Sequence, residues 1–175
     1  MDKELPVSAW PEWKIIEKIG ERFFWKSLQS AENRNVEKSF YSAIKIINIP
    51  GSQSELNSVR SETGDDQSTR QYFQNLVEEC IQEISTMEYF RGNSYIVSVE
   101  DFKVMEYLDV IGWEISIRME YLTSFIDYCA EKQLTENEVI QLGMDLSKAL
   151  EYCRKLKIIH RDIKPEIFCI QIWRF

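Results

Sequence analysis

The sequence predicts an α+β fold, with strands and one helix in the first two thirds and helices after them. Three observations predict it. Residues 111–119 alternate Ile111, Trp113, Ile115, Ile117 and Met119, the period of a half-buried strand. From Gln71 to about Phe90, the residues Tyr72, Leu76, Cys80, Ile84 and Met87 recur at the spacing of an amphipathic helix. Thr135 and Glu138 form a Thr-x-x-Glu capping box ahead of a second helical pattern.

Composition sets the bounds. The chain has 175 residues, enough for one domain with a sizeable core. It is 44% hydrophobic and 29% charged, ordinary for a globular protein. A net charge of −8 argues against a nucleic-acid partner or an anionic membrane surface, both of which select basic patches. Cys80, Cys129, Cys153 and Cys169 show no paired spacing and His160 is the one histidine, so a Cys/His zinc site is not expected. Reduced thiols and a cytoplasmic location fit best. The opening Met-Asp-Lys-Glu-Leu-Pro has no apolar core that could serve as a signal peptide. No apolar run approaches the ~20 residues of a membrane span.

In chain order, residues 1–12 read as a polar lead-in containing Trp10-Pro11. Trp13 to Gly20 reads as a strand, with Trp13, Ile15, Ile16 and Ile19 apolar and a glycine closing the run. Tyr41 to Ile49 is the next clear strand. Its Ala43-Ile44-Lys45-Ile46-Ile47 sets a lysine among isoleucines, either solvent-facing or functional. Residues 48–70 are rich in Ser, Gly, Asp, Asn and Gln and predict a mobile loop. The helix that follows ends at Gly92-Asn93-Ser94. Ile96 to Val104 and Ile111 to Met119 read as strands joined by a turn at Leu108-Asp109. Phe125 to Lys132 reads as a short helix. The helix begun at Thr135 carries Val139, Leu142, Leu146, Ala149, Leu150, Cys153 and Leu156 as a buried stripe. Lys155 and Lys157 stand near its negative end.

Just after that helix comes His160-Arg161-Asp162-Ile163-Lys164-Pro165-Glu166. This string resembles the catalytic loop of eukaryotic-like protein kinases, in the serine/threonine form found in bacterial members. Ala43-Ile44-Lys45 is similar to the Ala-x-Lys of the family's third strand, and Met119-Glu120-Tyr121-Leu122-Thr123 is similar to its hinge. The resemblance covers roughly residues 10–167. It implies an incomplete kinase fold: an N-lobe of antiparallel sheet plus one helix over residues 13–119, a hinge at 120–123, and the first helices of the C-lobe over 124–175. It implies ATP and Mg²⁺ as cofactors and a protein as substrate. By carry-over, Asp162 accepts the proton of the substrate hydroxyl and Lys164 steadies the phosphoryl group. Lys45 holds the ATP phosphates and Glu83 holds Lys45. Glu78, Glu79 and Glu88 are solvated carboxylates, although periodicity alone does not choose among the four. Ile19, Gly20 and Ala43 contact the nucleotide. The backbone of Glu120 and Leu122 meets the adenine, and Met119 lines the back of the pocket. His160 and Arg161 are structural, with His160 packed in the scaffold.

Two departures qualify that activity. The family's glycine-rich phosphate loop has Gly20 here, but Arg22 and Trp25 stand at later glycine positions and Ser27 replaces a valine. Ile167 stands directly after Glu166, where the family has a metal-binding Asn, and no Asp-Phe-Gly follows. The expectation is a kinase by family that is inactive as this chain. The alternatives are a pseudokinase-like interaction module or the non-functional product of a frameshifted gene. Codons exist for Arg22 to Ser30 whose reading one base later gives Gly-Ser-Phe-Gly-Lys-Val-Tyr-Lys, the missing loop and following strand. Phe168 to Phe175 can likewise be shifted to Phe-Val-Ser-Lys-Phe-Gly-Asp. Sequencing the locus checks this: the codons should permit both shifted readings, and codons that forbid them end the frameshift idea.

Overall fold

The computed structural model describes residues 8–19, 24–33 and 36–170. The chain divides into two compact units. The first comprises the stretch up to Arg91 together with Ser98–Tyr121; the second comprises Gly92–Val97 and the stretch from Leu122 onward.

The first unit is built on a five-stranded antiparallel sheet in the order β1-β2-β3-β5-β4. Its strands are β1 (Lys14–Lys18), β2 (Phe24–Asn33), β3 (Val36–Ile49), β4 (Val99–Glu106) and β5 (Trp113–Glu120). Between β3 and β4 run α1 (Gln53–Thr63) and α2 (Asp66–Glu88). Side chains alternate across a strand, so β3 and β5 feed two separate cores. On one face Ile49, Trp113, Ile115, Ile117 and Val99 pack with Leu56 and Val59 of α1 and Phe73, Val77 and Ile84 of α2. On the other, Ile44 and Ile46 pack with Trp10, Trp13 and Ile15.

Several expectations are corrected here. Residues 48–70 are mostly helical. Ser52 caps α1 by accepting the Glu55 N–H at 3.2 Å, and Asp65 caps α2 by accepting the Ser68 N–H at 2.8 Å. Gly64 ends α1 in the left-handed conformation, φ 81°, which suits glycine. Thr69, fully buried, donates to the Asp65 carbonyl at 2.7 Å and closes the corner against Thr63. These polar residues are caps and a corner, not a loop. The lead-in is not polar throughout, because Trp10 is only 2% exposed. Strand β4 starts three residues later than expected, and Ile111 is buried in the turn before β5. Trp25 lies within β2, paired with Lys18 and Ile44, so a tryptophan there extends a strand; Gly20 and Arg22 lie outside the described residues.

In the second unit, β6 (Thr123–Ser124) pairs with β7 (Cys169–Ile170), beside α3 (Phe125–Glu131), α4 (Glu136–Lys155) and a single 3₁₀ turn at Pro165–Ile167. The Phe125 N–H donates to the Phe168 carbonyl at 2.9 Å, and the two rings meet edge-on at 6.0 Å. The expected stripe of α4 is not buried. Only Cys153 is; Leu142, Leu146 and Ala149 are half-buried, and Val139 and Leu150 are exposed, because the unit's other elements are short and cover little of the helix.

The start of α4 is held electrostatically. Thr135 and Glu138 cap each other, and the Glu138 carboxylate also takes Lys132 at 2.6 Å and the Tyr128 hydroxyl at 2.9 Å. The Lys132 ammonium and then the Thr135 N–H hold the Glu138 carboxyl down from the usual 4.5 to about 2. A depressed folded pKa stabilises above the unfolded value, and the effect is lost as pH falls through the folded one. The α4 cap should therefore persist at pH 5 and loosen progressively from about 4.5 toward 2. Amide exchange at residues 136–139 followed across that window checks it, and Glu138→Gln should remove most of the pH dependence.

Candidate functional site

The residues singled out from the sequence fall into two sets, one on each unit. In the first, the pairing of β3 with β5 sets Ala43 opposite Met119 and Lys45 opposite Ile117. Directly opposed residues share a face, so Ala43, Lys45 and Met119 lie on the α2 side of the sheet. Ala43 is buried, Lys45 half-buried, and Met119 packs against the larger core. Glu83 is exposed on α2, one turn after half-buried Cys80. Burial pushes the Cys80 thiol up; the Glu83 carboxylate pushes it further and the Lys45 ammonium pulls it back. Lys45 and Glu83 thus act on one thiol from two elements that are distant in sequence.

Glu120 closes β5. Its N–H donates to the Ser98 carbonyl at 3.2 Å, and its carboxylate accepts the Ser98 N–H at 2.7 Å. The Glu120 amide and carboxylate are thus both engaged by Ser98. Ile19 is half-buried just after β1, and Gly20 is outside the described residues. Leu122 is half-buried and directly precedes β6.

In the second unit, the chain leaving α4 turns through Lys157 and Arg161, whose φ angles of 59° and 64° are left-handed. Between them His160 is exposed rather than packed, because little of the unit covers this stretch; its Nδ1 accepts the Asp162 N–H at 3.3 Å and shapes the turn. Lys164 Nζ lies 2.9 Å from Asp162 Oδ2, with both side chains about half exposed. That carboxylate, by hydrogen bond and charge, raises the Lys164 pKa, keeping the ammonium charged. The loop therefore presents an oxygen acceptor and a fixed cation side by side.

The donor set does not fit a protein-held Mg²⁺. The residue after Glu166 is Ile167, a hydrocarbon, and the Asp162 carboxylate already holds Lys164. Among the described residues no three His, Cys, Asp or Glu side chains gather as metal ligands. Among the same residues no helix is long and apolar enough to cross a membrane.

Comparison with known proteins gives the lineage. The family model for the protein kinase domain matches residues 34–171. The chain belongs to the protein kinase family. A carbon catabolite-derepressing protein kinase of Secale cereale is 39% identical over 56 residues, 30% of this chain and 11% of that protein. An SNF1-like protein kinase of Schizosaccharomyces pombe is 36% identical over 80 residues, 43% of this chain and 14% of that protein. The chain thus spans well under a fifth of the length of these curated relatives. The crystal structure of Rad53 1-466 in complex with AMP-PNP shares the fold, with a TM-score of 0.54 at 20% identity over 91% of this chain and 35% of that one. The sheet with its helices and the first helices of a second unit are accordingly a kinase N-lobe and the start of a C-lobe.

Sequence reasoning passed over the cluster behind the sheet. Ser42, 1% exposed, donates to Glu100 at 2.9 Å, and Arg118 lies 3.5 Å from the same carboxylate. The signal that could have found it is Trp10, a tryptophan in the lead-in read as polar, three residues ahead of Trp13 at the head of the first expected strand. The Lys45–Cys80–Glu83 neighbourhood has a direct check. Glu83→Gln should lower the Cys80 pKa and Lys45→Met should raise it, read from peptide-resolved alkylation rates against pH. A thiol unmoved by either change lies outside their field.

Proposed function

We propose that this chain is the nucleotide-holding front of a serine/threonine protein kinase. The observation that carries the reading is the placement of Ala43 and Lys45 on the α2-facing side of β3, opposite Met119 and Ile117 of β5. A half-buried ammonium on a rigid strand is suited to neutralising phosphate charge, since less water screens it than on an open surface. Ala43 has the small side chain that lets a flat base approach the sheet. The Glu120 carbonyl would meet the base edge, with Ile19 nearer the sugar. The adjacent sequence supplies the serine/threonine reading: Lys164 follows Asp162 by two residues, its ammonium 2.9 Å from the carboxylate.

In the intact reaction Asp162 would accept the hydroxyl proton of a protein serine or threonine, and Lys164 would offset the growing charge. Divalent metal neutralises phosphate charge in that chemistry. Ile167 offers it no ligand, so the chain binds nucleotide and does not itself transfer phosphate. A second reading is favoured by α4, where Val139, Ile140 and Met144 are each half or more exposed. It is a pseudokinase-like module whose apolar helix face is covered by a protein partner. A damaged gene product would instead be insoluble or degraded.

A thermal-shift titration with Mg-ATP separates these outcomes. A ligand bound only to the folded state adds about 2.7 kcal/mol at 100-fold over its Kd, enough to raise Tm by several degrees in a chain of this size. We expect that shift in the purified chain, its loss in Lys45→Ala, and no transfer to a generic protein substrate. Absence of any Lys45-dependent shift refutes the nucleotide reading, and phosphate transfer by residues 1–175 refutes the inactivity.

A further inference from the structure

The segment from Ser8 to Trp13 lies against the back of the sheet, on the opposite face from Lys45, and it is held there by more than apolar contact. Trp10 is 2% exposed and Trp13 is 6% exposed. The Trp10 indole N–H donates to Asp101 Oδ2 at 2.6 Å, and Lys103 donates back to the Ala9 carbonyl at 2.7 Å. Both partners are on β4. The Arg118 guanidinium of β5 lies over the Trp13 ring at 4.7 Å and the Trp10 ring at 5.5 Å.

These contacts converge on an irregularity. Pairing of β4 with β5 slips between Val99 and Asp101, which leaves Glu100 as a bulged residue. The Glu100 carboxylate takes Arg118 at 3.5 Å and Ser42 at 2.9 Å, and its carbonyl accepts from Arg91 at 2.7 Å. Beyond the bulge, Ser98 makes its two hydrogen bonds with Glu120. A bulge re-aims the strand that carries it, so whatever fixes Glu100 also fixes how Ser98 meets Glu120.

We infer that the Ser8–Trp13 segment is a positioning strap that holds the Glu100 bulge and, through it, the Glu120 end of β5 in the shape that receives a nucleotide base. The nucleotide half of this inference rests on the reading of Glu120 given under the proposed function. The strap residues contact Asp101, Lys103 and Arg118. Their effect passes through Asp101, Arg118 and Glu100, all on the far face. The strap also ties β5 to an edge strand, β4, whose other side has no strand partner among the described residues. An edge strand without such a tie is free to fray.

The experiment uses the full chain and three variants. Trp10→Phe keeps an aromatic ring and removes the N–H that Asp101 accepts. Lys103→Met keeps the stem and removes the second tether. Asp101→Asn keeps an acceptor for the indole. Hydrogen exchange is read at residues 98–101 and 118–121 against a reference in α2, and ATP affinity is read by calorimetry. For Trp10→Phe and Lys103→Met we expect exchange at those two stretches to quicken about fivefold, the effect of one lost hydrogen bond, with α2 unchanged and ATP affinity weakened by a similar factor. Asp101→Asn should stay near the parent in both. Exchange unchanged at 98–101 and 118–121 in both tether variants overturns the strap, whatever ATP does. Faster exchange there with ATP affinity unchanged overturns its role in nucleotide binding. If the parent binds no ATP while exchange still quickens, the nucleotide reading falls and the strap stands as the element that fixes the bulge.

Discussion

The antiparallel pairing of β3 with β5, from Ser42 opposite Glu120 to Ile49 opposite Trp113, is the constraint on which the first unit depends. It puts Ala43, Lys45, Ile47 and Ile49 on one face and Ser42, Ile44 and Ile46 on the other. The period of a strand is two, so a slip of one residue would exchange every one of these positions. Lys45 would then face the tryptophans behind the sheet, and Ile44 would take its place before α2. The register is strongly specified because both faces are buried, each against its own apolar cluster.

The two faces do different work. The α2 side carries the larger core, with Phe73 and Ile115 fully buried at its centre. That packing fixes α2 and, with it, the position of Glu83 relative to Lys45. The far side is smaller and more polar. A guanidinium flanked by indole rings and a carboxylate occupies a place that aliphatic side chains could fill, and the Arg118 Nε is buried without a hydrogen-bond partner among the described residues. Leaving such a donor unpaired costs free energy. Its retention fits an element whose role is to fix the geometry of Glu100 and Ser42 rather than to maximise stability.

The second unit shows how a loop can be set by its flanks. The capping network of Thr135, Glu138 and Lys132 fixes the start of α4, and two left-handed residues turn the chain away from its end. Such a backbone at Lys157 and Arg161 is held at some cost, roughly 1 kcal/mol or more each for a residue with a side chain. The result is a carboxylate and an ammonium presented side by side in solvent. An exposed ion pair of this kind adds little to stability.

The sequence by itself determined the strongly periodic elements, the capping box at Thr135 and the family, because local periodicity and a few spaced motifs carry that information. It also pointed to Lys45 and Asp162, each within a short distinctive string. It misjudged 48–70 because two helix caps, a left-handed glycine and a helix burying only Leu56 and Val59 have the composition of a loop. It passed over Trp10 because the partners that bury it, Asp101 and Arg118, lie far along the chain. It placed the stripe of α4 in a core because periodicity reports which side of a helix is apolar, not whether anything covers it. Only tertiary structure decided these points: burial and cross-sheet pairing are properties of residues brought together, and no local window of sequence contains both partners.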